Sequence, residues 1–238
     1  MLRRLQTRFP SQSLELFGQE LEAVTLMFGD DSPVARGSWM PVAQRLRATA
    51  RAAHMTTELR CRAAWMAALL ERRFTEGRGG VPAPRDTMPA VLRSVLDAYD
   101  QALGGHVGLA LRSSEKLQLV PAENVADPFY RTVLHLLRAQ WLVDDGQWDS
   151  ADRALVWHQN SDQATMPRFE PQAMEVDWAF GTLARWRRAQ LADRSGTARE
   201  VLCPLYRDVM RLWSDGEPAY VARADSARAL AVARECPA

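Results

Sequence analysis

The chain has 238 residues, with 30 basic and 29 acidic side chains, so its formal net charge at neutral pH is +1. This length allows one large domain or two small ones, and the 47% of hydrophobic residues is enough for a sizeable core. The balanced charge excludes a global field that would draw the chain to nucleic acid or to a membrane. No apolar run approaches the roughly 18 residues of a membrane-spanning helix.

The cysteines favour a reducing compartment. There are three, Cys61, Cys203 and Cys236, which is an odd number at wide spacing with no C-x-x-C pair. This pattern predicts free thiols and excludes a disulfide framework or a zinc site. The arginines near the start of the sequence precede no apolar segment, so no secretory signal is expected. We therefore expect a soluble protein of the cytoplasm.

The first third of the chain is predicted to be helical. Apolar residues recur at helical spacing over 12–28 and again over about 41–74, where a break near His54 would give two helices. Glycine and proline then interrupt the pattern in GRGGVPAP, residues 77–84. We take this linker as the boundary between an N-terminal helical segment, 1–80, and a second region, 81–238.

The second region contains helices separated by turn signals. A helix is predicted to follow Asp86 and to end at Gly104-Gly105, whereas 106–121 fits either a small β-hairpin or a distorted helix. Asp127-Pro128 predicts the start of the next helix, which Gly146 ends. The remaining predicted helices lie near 148–158, 171–193, 198–214 and 218–235, and the last has the small residues of a capping helix.

A repeat links two of these turns. RAQWLVDDGQ (138–147) recurs as RAQLADRSGT (188–197) at an offset of 50 residues, and Leu155 then coincides with Leu205. Recurrence of a helix–turn–helix unit predicts an all-α protein of stacked antiparallel helical hairpins. On this interpretation Trp148 packs inside the first hairpin, and the other tryptophans of the region fill the layers between helices.

The first copy resembles a tetratricopeptide repeat (TPR). It has the small residue, turn glycine, aromatic residue, alanine and large apolar residue of that family at Ala139, Gly146, Trp148, Ala151 and Leu155. The second copy keeps Ala189, Gly196 and Leu205 but has Ala198 and Val201 at the aromatic and alanine positions, and the period of 50 exceeds the family's usual one. Similar helical arrays occur at the C-terminal ends of bacterial signalling and transcription proteins.

The resemblance implies an α-solenoid that binds protein partners in a concave groove lined by the first helix of each repeat. The groove residues that it implies are Gln140, Asp144, Trp186, Gln190 and Arg194. The function predicted is therefore that of a protein–protein interaction scaffold.

The sequence gives less support to a metal site or a catalytic site. The acidic residues near the first turn do not keep the spacing of an aspartate-rich magnesium motif, because position 148 is tryptophan. No histidine pair has metal-ligand spacing, and no nucleophile has a recognisable partner base. We therefore expect no enzyme activity, cofactor or metal.

The alternative function is nucleic-acid binding or transcription regulation through the arginine-rich segment 36–78. Its arginines could contact phosphates, although they spread around the helix and a solvated helical face is the simpler interpretation. These arginines are Arg45, Arg47, Arg51, Arg60, Arg62, Arg72 and Arg73.

Overall fold

The computed structural model describes residues 12–29, 33–75, 88–118, 129–156, 180–216 and 218–237. Over those residues the chain is helical and contains no β-strand, so the predicted all-α class is confirmed. The ten helices in this described part of the chain are α1 (Gln12–Gly29), α2 (Pro33–Arg51), α3 (Thr57–Thr75), α4 (Ala90–Leu103), α5 (Val107–Gln118), α6 (Phe129–Asp144), α7 (Trp148–Val156), α8 (Thr182–Arg194), α9 (Arg199–Trp213) and α10 (Pro218–Ala233).

The helix boundaries follow most of the predicted breaks. The break expected near His54 separates α2 from α3, and the ambiguous stretch after residue 106 forms helix α5 rather than a β-hairpin. The linker 77–84, and with it the proposed boundary at residue 80, lies outside the described residues and stays a prediction. Within the described part of the chain, no helix combines the length and the apolar composition needed to cross a membrane.

Contacts between residues divide the chain into two compact units. Unit 1 is Met1–Asp145 and contains α1 to α6, whereas unit 2 is Gly146–Ala238 and contains α7 to α10. The division falls inside the Asp144-Asp145-Gly146 turn with which the first copy of the repeat closes its first helix.

Unit 1 is built on a three-helix core. Helices α1, α2 and α3 pack against one another, α3 also packs on α4, and α4, α5 and α6 form a second group. Large side chains that are completely or almost completely buried fill the three-helix core, and each contributes about 1.5–3 kcal/mol of burial energy. They include Leu16, Leu21, Leu46, Trp65 and Met66.

Ion pairs tie these helices together. Glu20 of α1 is completely buried, and its carboxylate accepts bonds from Nε and Nη2 of Arg62 at 2.9 and 2.5 Å. A buried charge is tolerated only when it is paired in this way. Arg72 of α3 joins α4 through two bonds to Asp100, at 2.6 and 3.2 Å. Sequence-distant helices of unit 1 are thus fixed by arginine–carboxylate contacts.

Unit 2 is a succession of packed helices. Helix α8 packs on α7, α9 on α8 and α10 on α9. Trp213 is completely buried on α9, and its ring centroid lies 5.3 Å from that of Tyr220 on α10. In contrast, Trp148 is 38% exposed at the start of α7, so the prediction that it packs inside a hairpin is wrong.

The cysteines of unit 2 correct a second prediction. Cys203 on α9 and Cys236, just after α10, form a disulfide with a Cα–Cα distance of 5.4 Å. The expectation of three free thiols is therefore wrong, and Cys61, buried on α3, is the one cysteine outside a disulfide. The pairing was not evident from the sequence because the two cysteines are 33 residues apart and approach only when α10 packs on α9.

Candidate interaction surfaces

The same left-handed turn separates three pairs of consecutive helices, α4–α5, α6–α7 and α8–α9, of which the second spans the boundary between the two units. Gly105, Gly146 and Gly196 follow α4, α6 and α8 with φ angles of +82°, +75° and +68°. A residue with a Cβ atom pays about 1–2 kcal/mol for this conformation. After α4 and α8 the turn amides satisfy the last helical carbonyl groups, as in the Schellman motif. The next helix then begins within three residues of the glycine.

The helix pairs also share a small residue. Ala98, Ala139 and Ala189 each lie seven positions before the turn glycine, and each is at most 4% exposed. The pair α4–α5 therefore has the same register as the two copies found from the sequence. Sequence reasoning missed this third copy, although the spacing of Ala98 and Gly105 was the signal that could have revealed it.

The arginines of the two R-A-Q motifs make equivalent contacts. Arg138 on α6 donates to the Leu111 carbonyl oxygen at 3.2 Å and to Ser114 Oγ at 2.8 Å, both on α5. Arg188 on α8 reaches back in the same way to α7, where it bonds both carboxylate oxygens of Asp152 at 2.7 and 3.2 Å. Leu111 and Asp152 each lie six residues after the turn glycine of the preceding pair. The repeated arginine thus joins each pair to an equivalent position on the helix before it.

Two of the predicted groove residues lie together on α6 of unit 1. Gln140 is half-buried, and its Nε2 donates to Asp144 Oδ1 at 2.8 Å. The residue equivalent to Gln140 in the preceding pair is Tyr99, because each lies six positions before its turn glycine. Tyr99 was not among the predicted site residues, since the register of its helix pair had not been recognised.

Tyr99 has a mixed polar and aromatic environment. It is 5% exposed, and its ring centroid lies 6.3 Å from that of Trp141. Burial raises the pKa of Tyr99 to about 12; Asp144 and Asp100 reinforce the shift, whereas the guanidinium groups of Arg73 and Arg72 oppose it. The phenol is therefore neutral at physiological pH. We call Tyr99, Asp100, Gln140 and Asp144 the Tyr99 surface.

The other three predicted residues lie along α8 of unit 2. Trp186 is only 5% exposed and packs against Tyr206 with a centroid distance of 6.4 Å, so it belongs to the core of the unit. Gln190 is half-buried and accepts a bond from Arg187 Nη1 at 3.3 Å. Arg194 is exposed in the last turn of the helix. The polar surface of this helix, which we call the α8 surface, is therefore Gln190 and Arg194 with the neighbouring Arg187.

Two acidic residues near the turn 144–146, where a magnesium site was considered, bind other side chains of the protein. Asp152 binds Arg188 on the neighbouring helix, and Asp144 accepts from Gln140 one turn earlier. Within the described ranges, no group of three histidine, cysteine, aspartate or glutamate side chains could hold a metal ion.

The arginines of segment 36–78 are largely engaged within unit 1. Four of them pair with carboxylates: Arg45 with Glu22, Arg47 with Glu71, Arg62 with Glu20 and Arg72 with Asp100. Arg73 Nε donates to the Met27 carbonyl oxygen at 3.3 Å. These guanidinium groups thus have structural roles in the helix packing.

A scan against protein-family models and searches of curated proteins and of solved structures found no match to this chain. The chemistry available on the Tyr99 and α8 surfaces is that of hydrogen bonding and charge pairing. The exposed and half-buried amide, carboxylate and guanidinium groups of these surfaces can bind the backbone and side chains of another polypeptide, whereas the phenol of Tyr99 is buried.

Proposed function

We propose that this chain is a non-enzymatic protein–protein interaction scaffold built from TPR-like helical hairpins. The observation that supports this function is a recurring register: the turn glycine and the buried alanine seven positions before it recur on α4, α6 and α8, and the R-A-Q arginine of α6 and of α8 bonds to the preceding helix. In helical repeat proteins, stacked hairpins present the same positions of successive first helices, and these positions form the binding face. No cofactor takes part in this function.

The binding residues of the scaffold are the Tyr99 surface of unit 1 and the α8 surface of unit 2. Gln140, Asp144, Gln190 and Arg194 are half-buried or exposed and carry donors and acceptors. Trp186 has an indirect role, because its indole packs on Tyr206 and supports the helix that carries Gln190 and Arg194. The partner is a protein that offers complementary polar and charged groups.

Nucleic-acid binding is the alternative, and the contacts of segment 36–78 weigh against it. Arginines bind nucleic-acid phosphates when their guanidinium groups can contact the phosphates and release the counterions bound there. Here Arg62 and Arg72, which are only 14% exposed, each bind a carboxylate of another helix through two nitrogens. Those two arginines would have to break intramolecular ion pairs before they could contact a phosphate.

The cytoplasmic location expected from the cysteines is also a proposal, and the disulfide weighs against it. Disulfides persist in oxidising compartments and are rare in the cytosol. Rapid acid quenching of host cells, followed by alkylation, would show whether Cys203 and Cys236 are thiols in the living cell. Alkylation of both supports the cytoplasm, whereas protection of both indicates an oxidising compartment.

Affinity capture of the tagged full chain from its own host's lysate tests the proposed function. The capture is carried out with and without nuclease treatment of the lysate, at low and at high salt. We expect a protein partner in stoichiometric amount that survives both treatments. Recovery of nucleic acid alone, lost at high salt, would overturn the proposal and move the function to the arginines of segment 36–78.

A further inference from the structure

The turn that follows α10 is fastened to α8 and α9 by several contacts. We call residues 234–237 the clasp. Cys236 forms the disulfide to Cys203 on α9, and Arg234 Nε lies 2.5 Å from Asp193 Oδ1 on α8. Arg199 Nη2, at the start of α9, lies 2.6 Å from Glu235 Oε2. Every residue of the clasp from 234 to 236 thus contacts one of the two preceding helices.

The noncovalent contacts of the clasp lie mostly at the surface; the exception is Asp193, the partner of Arg234, whose side chain is 21% exposed. The last buried side chain before it is Ala231, and Arg234, Glu235 and Pro237 are all exposed. The Arg199–Glu235 pair is 58% and 76% exposed, and ion pairs of this kind contribute at most about 1 kcal/mol. The disulfide is therefore the principal tether of the clasp.

The clasp contains a residue in an unfavourable backbone conformation. Glu235 has a φ angle of +53°, the left-handed region in which glycine ends the other hairpin helices. Its amide donates to the Val232 carbonyl oxygen at 3.0 Å, and the amide of Cys236 donates to that of Ala231 at 2.9 Å. This turn thus repeats the helix-ending motif found after α4 and α8 without the glycine that makes the motif favourable.

The clasp lies beside the aromatic pair of the unit. The hydroxyl of Tyr206 is buried, and its pKa is raised to about 12, chiefly by burial, with Asp193 raising it further and Arg234 opposing. The ring of Tyr206 packs on Trp186, which supports the α8 surface. The Arg234–Asp193 pair, which joins the clasp to α8, is therefore part of the electrostatic environment of Tyr206.

We infer that the clasp is a thiol-controlled switch that opens and closes at the turn after α10. The reductant is a thiol compound: its thiolate attacks Cys236 Sγ, since Cys203 is only 4% exposed, and Cys203 leaves as a thiolate. A second thiol of the reductant then displaces Cys236 from the mixed disulfide. Two electrons and two protons pass to the cysteines, and the reductant becomes a disulfide. The switch does not depend on the proposed interaction function.

Hydrogen–deuterium exchange of the full chain, with and without a dithiol reductant, tests the switch. In the oxidised protein the amides of residues 232–236 exchange slowly, and reduction accelerates their exchange at least tenfold. The amides of Leu183–Leu191 on α8 also lose protection but still exchange more slowly than those of this turn. The variant Cys236→Ser exchanges rapidly at this turn without reductant and does not respond to it. The control Cys61→Ala alters the free cysteine of unit 1 and keeps the full response.

Two results would overturn the inference. One is exchange over residues 232–236 that is equally slow before and after reduction, which would show that the noncovalent contacts hold the clasp unaided. The other is alkylation of both Cys203 and Cys236 in protein that was purified and air-oxidised without reductant, because the disulfide would then not form. Measurement on the reduced wild-type chain keeps the test valid if Cys236→Ser folds poorly.

Discussion

Trp186 and Arg194 were predicted to share one role but have different environments on α8. Trp186 is 5% exposed and packs on Tyr206, whereas Arg194 is exposed. We expect Trp186→Ala to lower the free energy of unfolding by about 3–5 kcal/mol, the usual cost of removing a large buried aromatic side chain. Arg194→Ala should change it by less than about 0.5 kcal/mol. Urea denaturation followed by circular dichroism measures both.

The comparison also separates binding from folding. If only Trp186→Ala abolishes partner binding, the cause is loss of the packing that supports the α8 surface. If Arg194→Ala abolishes it, the partner contacts the α8 surface directly. Equal stability losses in the two variants would contradict the environments described for them.

His135 on α6 should make unit 1 sensitive to acid. Burial, with Arg138 and Arg131 nearby, lowers the pKa of His135 from its ordinary 6.5 to about 3. The unfolded chain therefore binds this proton more readily, so stability is full above about pH 6.5 and falls as the pH decreases toward 3. Between pH 6 and 4 this histidine alone contributes a slope of about 1.4 kcal/mol per pH unit.

The variant His135→Gln isolates this contribution. It keeps a polar side chain without an imidazole, and we expect a shallower decline in unfolding free energy between pH 6 and 4 than in the wild type. His106→Gln, at the exposed turn between α4 and α5, is the matched control for loss of one histidine. An unchanged slope in His135→Gln would show that the folded protein accommodates the charged ring.

At the level of the helix pairs, the turn glycines have a measurable role. A Cβ atom at Gly196 would meet nothing within 4 Å, so the cost of Gly196→Ala comes from its φ angle of +68° alone. We expect a loss of about 1–2 kcal/mol. Gly37 provides the control, because it lies in helix α2 with equally open space. Gly37→Ala should stabilise by up to about 1 kcal/mol.

The opposite signs of these two substitutions make the comparison decisive. Chemical denaturation of both variants under one set of conditions is sufficient. If Gly196→Ala were as stable as the wild type, the left-handed turn would not be the feature that sets the register of the helix pairs.

The sequence predicted the positions of most helices. It did not reveal that α4 and α5 share the register of the two repeat copies. Alternation of Val107, Leu109 and Leu111 allowed a strand, but Leu109 is 44% exposed in the folded chain. The side chains that α5 buries are instead Ala110, Leu111, Ser114 and Leu117, which have helical spacing. A serine among the buried positions concealed this pattern, since Ser114 is satisfied only by its bonds to Leu111 and Arg138.

The sequence also predicted the candidate surfaces in part. Spacing within the repeat identified Gln140 and Gln190, which the structure places at equivalent positions of α6 and α8. It could not show that Trp186 is buried, because position within a repeat does not determine which neighbouring side chains cover it. It also missed Tyr99, whose environment depends on Arg72 and Arg73 from a helix outside the repeated pairs.

At the scale of the whole chain, the disulfide links stability to redox conditions in one unit. It connects residues 33 positions apart within unit 2, and closing a loop of this length stabilises by about 3–4 kcal/mol in the chain-entropy account. Reduction should therefore lower the protection of the most slowly exchanging amides of α8 and α9. Those of α3 and α4 in unit 1 should change less. Native-state hydrogen exchange resolves both sets, and an equal loss in the two units would contradict this assignment.

The measurement that tests the scaffold function most directly is quantitative affinity capture with surface variants. The wild-type chain is compared with the double variant Gln190→Ala/Arg194→Ala and with Glu200→Ala/Val201→Ala, whose exposed residues lie on α9 of the same unit. We expect a partner protein that the wild type and the α9 control recover equally and that the α8 variant recovers at least tenfold less. Equal recovery by all three would contradict binding at the α8 surface.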